Sequence, residues 1–271
     1  MRRKIMTISV GRNESVICIV KNRRIISVRT VRSGKGEDGS KAEIWEALAE
    51  RVKKKFPVAV AAPDEICIFK TVSPEKRRTP GGEYLEEEFD DYMKNGEKYR
   101  FETMKVNQNN NSVFLAAAIR EKDLEEMISS LKNAGLRPVI ITPERIALSE
   151  LLRRGGKDGK QIFAGLFEKR LVMKLFDDYL CVATCEIEYE GKTPGKIAEE
   201  VLEAIRYYAE KGMAENGAGI IVYGEIEINS AILKAIRQAG INAMSIKSLI
   251  DSGMDIKTAS ISALEIGAAC L

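Results

Sequence analysis

The sequence predicts an α/β fold made of two copies of one β-β-β-α-β-α unit, with a small α+β lobe inserted in the first. Three observations carry this. Residues 4–31 read as three short strands in a row: KIMTISV, a polar break at 11–15, VICIVKN, a basic turn at 21–24 and IISVRTV. Residues 161–189, QIFAGLFEKRLVMKLFDDYLCVATCEIEY, repeat that plan, with a charged break at 168–170 and an Asp177-Asp178 turn. Each triplet is followed by a helical pattern, a strand and a further helix, which together read as a weak internal duplication. The first half is expected to span 1–154, its inserted lobe about 80–135, and the second half 155–271.

After the first triplet comes a glycine-rich polar loop at 32–40. Residues 42–56 then show apolar positions near helical spacing (Ile44, Ala47, Leu48, Val52, Phe56), with lysines toward the C-terminal end where cations suit the helix dipole. Pro57 stops this helix, and strands follow at 58–62 and 65–72. The two prolines and two glycines of 73–82 mark the entry to the lobe. The lobe reads as an acidic helix over 84–94, a strand over 99–106, a polar turn at 107–111 and a buried strand over 112–119. A helix over 121–134 carries Leu124, Met127, Ile128 and Leu131 on one face and ends at Gly135, a common stop signal. A strand at 138–141 and a helix at 144–154 close the first half. In the second half, a helix from Pro194 to Gly212 has Ile197, Val201, Ile205 and Tyr208 as its apolar stripe, and proline suits its first turn. Strand 219–223, helix 228–238, strand 241–245 and a small-residue helix over 258–271 complete the chain.

Composition narrows the function. At 271 residues, 45% hydrophobic and 31% charged, the chain is long enough for two compact cores. Its 43 basic and 40 acidic residues leave a net charge of +3, too small a field to steer nucleic acid or an anionic membrane. The basic start Met1-Arg2-Arg3-Lys4 precedes an apolar run too short for a signal peptide or a membrane span, so a cytoplasmic protein is expected. Histidine is absent, which removes Ser-His-Asp and Cys-His catalysis and imidazole metal sites. The five cysteines (Cys18, Cys67, Cys181, Cys185, Cys270) lie in apolar runs without C-x-x-C spacing and read as free thiols; Cys181 and Cys185, four apart, would share a strand face. The segment 155–160 (GGKDGK) lacks the G-x-x-x-x-G-K-[ST] spacing of a phosphate loop and reads as a linker. Glu86, Glu87, Glu88, Asp90 and Asp91 fan around their helix rather than converging on a cation. The basic runs at 51–55 and 76–78 have no interleaved aromatics on which bases could stack, so no nucleic-acid partner is expected.

Three stretches give a family resemblance. FLAAAIREKDLEEMISSLKNAGLRPVIITPERIALSELL, VLEAIRYYAEKG followed by GIIVYG, and ISALEIGAACL resemble, in order and texture, the PilM proteins of type IV pilus assembly. They are more distantly similar to the cytoplasmic domain of the GspL proteins of type II secretion. The resemblance implies the actin-like (ribonuclease-H-like) ATPase fold, two βββαβα halves around a cleft. It also implies a cytoplasmic scaffold that docks on the inner membrane through the short cytoplasmic tail of a bitopic, PilN-like partner; self-association is left open.

In that superfamily each strand triplet carries an Asp-x-Gly turn, whose amides reach phosphate while the Asp holds a metal or positions water. Here the first is Ser9-Val10-Gly11 and the second Gly165-Leu166-Phe167, so both carboxylates are missing and Phe167 would crowd the phosphate path. The adenosine-side glycine pair is reduced to Gly224-Glu225, whose Glu225 would repel an anionic ligand. Ser9, Gly11, Gly165, Gly224 and Glu225 are therefore expected to mark a vestigial nucleotide cleft, without catalytic or metal-binding residues. No cofactor is expected; ATP is the ligand the family would bring, and its binding is left open. The alternative is an active ATPase or small-molecule kinase of the same fold. Taken one at a time, Gly11, Gly165 and Gly224 read as ordinary turn glycines.

Overall fold

The computed structural model of the chain describes residues 4–10, 14–21, 24–32, 57–73, 79–108, 111–154, 159–166, 170–215, 218–224 and 230–245. The expected helices at 42–56 and 258–271, the loop after Arg32 and the 155–158 linker lie outside these residues, as do Gly11, Phe167 and Glu225.

Two five-stranded sheets share one plan. In the first half, β1 (Lys4–Val10), β2 (Glu14–Lys21), β3 (Arg24–Arg32), β4 (Pro57–Ala62) and, later in the chain, a strand at Arg137–Pro143 lie with that last strand beside β4 and β3 at the far edge. β1 runs antiparallel to β2 and parallel to β4. In the second half, Lys160–Leu166, Arg170–Asp177, Leu180–Glu188, Ile220–Gly224 and Ala243–Ser245 repeat both the order and the directions. The match extends to single residues. Val10 faces Ser15 across the first hairpin as Leu166 faces Leu171 across its counterpart. Each second strand breaks register with its third at the equivalent step, Ile19/Val20 and Leu175/Phe176. The two halves are copies of one folding plan.

Between the first half's strands lies a three-stranded antiparallel sheet of β5 (Cys67–Val72), β6 (Tyr99–Gln108) and β7 (Asn111–Arg120), with β7 central. One of its faces is covered by α1 (Gly82–Phe89), whose Leu85 and Phe89 pack on Val72, Phe114, Ala116 and Ala118. α1 stops at Phe89, short of the expected 94, and continues as a 3₁₀ turn at Asp90–Tyr92. The carboxylates Glu86, Glu87, Asp90 and Asp91 are solvent-exposed, as their spread around the helix predicts.

α2 (Glu121–Asn133) follows β7 but packs on the first half, with Met127 and Leu131 against Ile8, Val58 and Val60. Gly135, at φ +73, ends it: the Leu136 amide donates to the Leu131 carbonyl and the Gly135 amide to that of Lys132, a left-handed cap that suits glycine. Then come β8 (Arg137–Pro143), α3 (Glu144–Arg154), β9 (Lys160–Leu166), β10 (Arg170–Asp177), β11 (Leu180–Glu188), α4 (Pro194–Glu210), β12 (Ile220–Gly224), α5 (Ser230–Gln238) and β13 (Ala243–Ser245).

β4 and β9 are buried on both faces, hence their nearly unbroken apolar runs. β9 turns Ile162, Ala164 and Leu166 toward α4 and α5, and Phe163 toward the first half. β4 turns Val58, Val60 and Ala62 toward α2, and Ala59 and Ala61 toward α3. Ala59, Ala61, Ala147, Leu148, Leu151 and Leu152 thus meet Phe163, Phe176, Cys181, Ile221 and Tyr223 in one buried seam between the halves. The alanines on β4 leave room for α3 to lie close.

The β10–β11 turn is Asp178-Tyr179 rather than Asp177-Asp178, and both residues have positive φ, +44 and +73. Cys181 and Cys185 do not share a face: Cys181 lies in the seam and Cys185 against the second half's own core. The register break that sets Phe176 opposite Cys181 but Leu175 opposite Ala183 inserts an extra residue between them and reverses the alternation.

Candidate functional site at the seam between the halves

Of the expected cleft residues, Ser9 and Gly165 occupy matching places in the two sheets. Ser9 stands opposite Val16 and Ala61, and Gly165 opposite Val172 and Tyr223. Gly165 is therefore a buried strand residue one step before the end of β9, not a turn glycine. Gly224 ends β12 beside Leu166, so Gly165 and Gly224 lie on adjoining strand ends of the second half. Ser9 belongs to the other sheet.

Charged side chains gather deeper in the seam. Lys174, in the middle of β10 opposite Phe163 and Thr184, is 2% exposed. Its Nζ lies 2.7 Å from Asp64 Oδ2 and 3.0 Å from Glu144 Oε1, so one ammonium of the second half engages two carboxylates of the first. Asp64 is delivered by the 3₁₀ turn Asp64–Ile66 that follows β4 and Pro63. There it also accepts from the backbone N–H of Arg145 and from its Nε, both at 3.1 Å. Glu144 and Arg145 open α3. The Tyr223 hydroxyl donates to Glu144 Oε1 at 3.2 Å, while the Tyr223 ring meets Phe163 edge-on with centroids 6.0 Å apart. Arg145 stacks over the Phe69 ring of β5 at 3.8 Å, tying the inserted sheet to the same cluster.

The electrostatics follow from this arrangement. Burial by itself would raise the Asp64 carboxyl, but the Lys174 ammonium and the Arg145 guanidinium outweigh it and hold the group below its ordinary value. Burial likewise opposes the Lys174 charge, and the Glu144 and Asp64 carboxylates more than restore it, so the ammonium is held above its usual range. Glu144 goes the other way: burial raises it, only partly offset by Lys174, and the neighbouring Asp64 charge adds to the rise. Burial and then Glu144 push the Tyr223 phenol well up. Asp64 is thus the firm counter-ion of Lys174, with Glu144 as a shared second partner. These carboxylates are engaged in holding the halves together. Nearby Thr142, opposite Ala61 on β8, is wholly buried, and its hydroxyl has no hydrogen-bond partner among the described residues.

Asp64, Glu144, Arg145, Lys174 and Tyr223 do not emerge from sequence motifs. The legible signal is a lone lysine inside the apolar run LVMKLF, since an unpaired lysine is almost never fully buried. Its partners, 110 residues away at Asp64 and in α3, come from the fold.

A cavity of about 270 Å³ opens between the inserted sheet and the first half, walled by Ala62, Cys67, Phe101, Ala117, Ile141 and Pro143, with Arg100 and Glu102 among its polar lining. Burial, and then the Asp64 charge, push the Cys67 thiol up to about 12, so that little thiolate is present at neutral pH and alkylation is slow.

No protein-family model and no curated protein matches the chain. Solved structures do. A chain of a PilM–PilN type IV pilus biogenesis complex is similar with a TM-score of 0.68 and 14% identity, over 99% of this chain and 98% of that one. An actin-like ATPase-fold protein of unknown function from Bacteroides thetaiotaomicron is similar at TM-score 0.53 and 8% identity, over 96% of both chains. The cytoplasmic domain of EpsL, an inner-membrane component of the Vibrio cholerae type II secretion system, is similar at TM-score 0.50 and 10% identity, over 82% of both. The chain has the actin-like ATPase fold.

Proposed function

We propose that this protein is a scaffold of a pilus- or secretion-type inner-membrane platform, degenerate in ATP hydrolysis, that docks the short cytoplasmic tail of a bitopic, PilN-like partner. In this reading residues 1–154 and 155–271 are the two halves, and Ser9, Gly11, Gly165, Gly224 and Glu225 line a worn nucleotide cleft. One observation supports it: Ser9 and Gly165, the two positions at which the resemblance leads one to expect a carboxylate, stand at equivalent register positions in the two sheets. With Ser9 and Gly165 at those two positions, neither offers a carboxylate to hold the cation of a metal-bound triphosphate or to orient water. The whole-chain likeness to a PilM–PilN complex supports a partner of the PilN kind. The cavity beside the inserted sheet, with apolar walls and polar groups in its lining, suits a short extended segment carrying one or two apolar anchors. No helix among the described residues is long and apolar enough to cross a membrane, so attachment at the inner face would come through the partner.

The test is a fluorescence titration with a peptide of the cytoplasmic tail of a bitopic, PilN-like protein, run alongside a Mg·ATP turnover assay. Wild-type protein is expected to bind the peptide, and Ala117→Trp, which fills the cavity, to weaken binding tenfold or more. Metal-dependent ATP turnover that disappears on substituting Gly11, or peptide binding indifferent to Ala117→Trp, would overturn the proposal.

A further inference from the structure

We infer that the cavity and the seam are mechanically coupled through Asp64, Glu144 and Arg145, so that spreading the cavity loosens the hold of the first half on Lys174, and breaking that hold loosens the cavity. The inference depends on geometry and not on the partner; a failed peptide titration would leave it standing.

Two short chain segments serve both places. Ala62 and Cys67 wall the cavity, and Asp64 between them binds Lys174. Ile141 and Pro143 wall the cavity, and the next two residues, Glu144 and Arg145, belong to the charged cluster. The segments are also fastened to each other, with Ala62 opposite Pro143 on adjacent strands and Arg145 bonded to Asp64 through backbone and side chain. The opposite wall is tied in as well. β5 carries Cys67 into the cavity and, two residues on, Phe69 under the Arg145 guanidinium. Farther along its strands the same face of the inserted sheet is held by both halves, where Val106, Leu115 and Ala117 pack with Ile146 of α3 and with Leu180 and Tyr179 of the second half. Ala117 also lines the cavity. A wall therefore cannot move outward without displacing a group that holds Lys174 or rests beside it. Packed, hydrogen-bonded interiors shift between discrete arrangements rather than deforming freely, so such a displacement is expected to be felt across the cluster.

Cys67 gives a readout that needs no ligand. Its modification by N-ethylmaleimide, followed peptide by peptide by mass spectrometry, reports access to the cavity. In Lys174→Met the rate at Cys67 is expected to rise at least fivefold, the lower end of usual couplings between sites. Electrostatics alone would predict the reverse: a less compensated Asp64 raises the thiol further and slows labelling. Val201→Ala, in the second half's own core, controls for general destabilisation and is expected to leave Cys67 near its wild-type rate. A folded Lys174→Met labelled at or below the wild-type rate would overturn the inference, as would Val201→Ala accelerating Cys67 equally. Should Lys174→Met fail to fold, wild-type protein carrying the maleimide on Cys67 decides the matter. Amide exchange in β10 and β12 is expected to accelerate severalfold on that adduct, and unchanged exchange there would refute the coupling.

Discussion

Asp64 and Glu144 share one ammonium, yet burial and neighbours drive their carboxyls in opposite directions, and the consequences for stability are opposite too. Asp64 is held below its ordinary value of 3.8, so its contribution is fully present above that pH and is lost as pH falls through the lower folded-state value. Glu144 is held above its ordinary 4.5, so folding favours its protonated form; that contribution is present below 4.5 and is lost as pH rises through the higher folded-state value. Removing one partner of a buried pair costs about 3–5 kcal/mol. Asp64→Asn is therefore expected to lower the urea midpoint substantially at pH 6, with the gap to wild type closing as pH falls below 3.8. Glu144→Gln is expected to cost clearly less at pH 7. Equal losses for the two variants would contradict the assignment of Asp64 as the firm counter-ion.

Among the elements, the β10–β11 turn breaks a local rule. Two-residue hairpin turns with positive φ at both positions favour Asn-Gly or Asp-Gly, yet here the second position is tyrosine at φ +73. Asp178 supports the turn by accepting from the Gly159 amide at 2.8 Å. The tyrosine is explained by its side chain, which packs against both the seam and the junction of the inserted sheet with the second half. Tyr179→Gly relieves a strain of about 1–2 kcal/mol but deletes a half-buried aromatic ring that joins two clusters, a loss of about 3 kcal/mol, the lower end for core aromatics. The net expectation is destabilisation, read as a lower urea midpoint, despite the better turn residue. A stabilised Tyr179→Gly protein would mean that the ring contributes little where it stands.

For the whole molecule, the seam makes the halves interdependent. Leu148, Leu151 and Leu152 of the first half have much of their apolar packing on Phe163, Phe176 and Tyr223 of the second, and the buried charges are satisfied only when both halves are present. Calorimetry is expected to show one transition, with calorimetric and van't Hoff enthalpies in agreement; two resolved transitions would show that the seam does not couple the halves. The duplicated strand triplets and the helices over 121–134 and 194–212 could be read from the order of residues, because period and turn chemistry are local properties. The alternation across β11 could not, because a single inserted residue in the pairing with β10 reverses it without leaving a mark in composition. Neither could the cavity, whose walls come from separate parts of the chain. The cluster around Lys174 is the clearest case: its charge is evident at once in LVMKLF, but its worth depends on what stands within 3 Å of it, and Asp64 and Glu144 arrive there only when β4 and α3 of one half close against β10 of the other. Local sequence determined which elements form and that they form twice; tertiary packing decided which charges are neutralised, because electrostatic energy in a desolvated interior is set by distances that sequence separation does not encode.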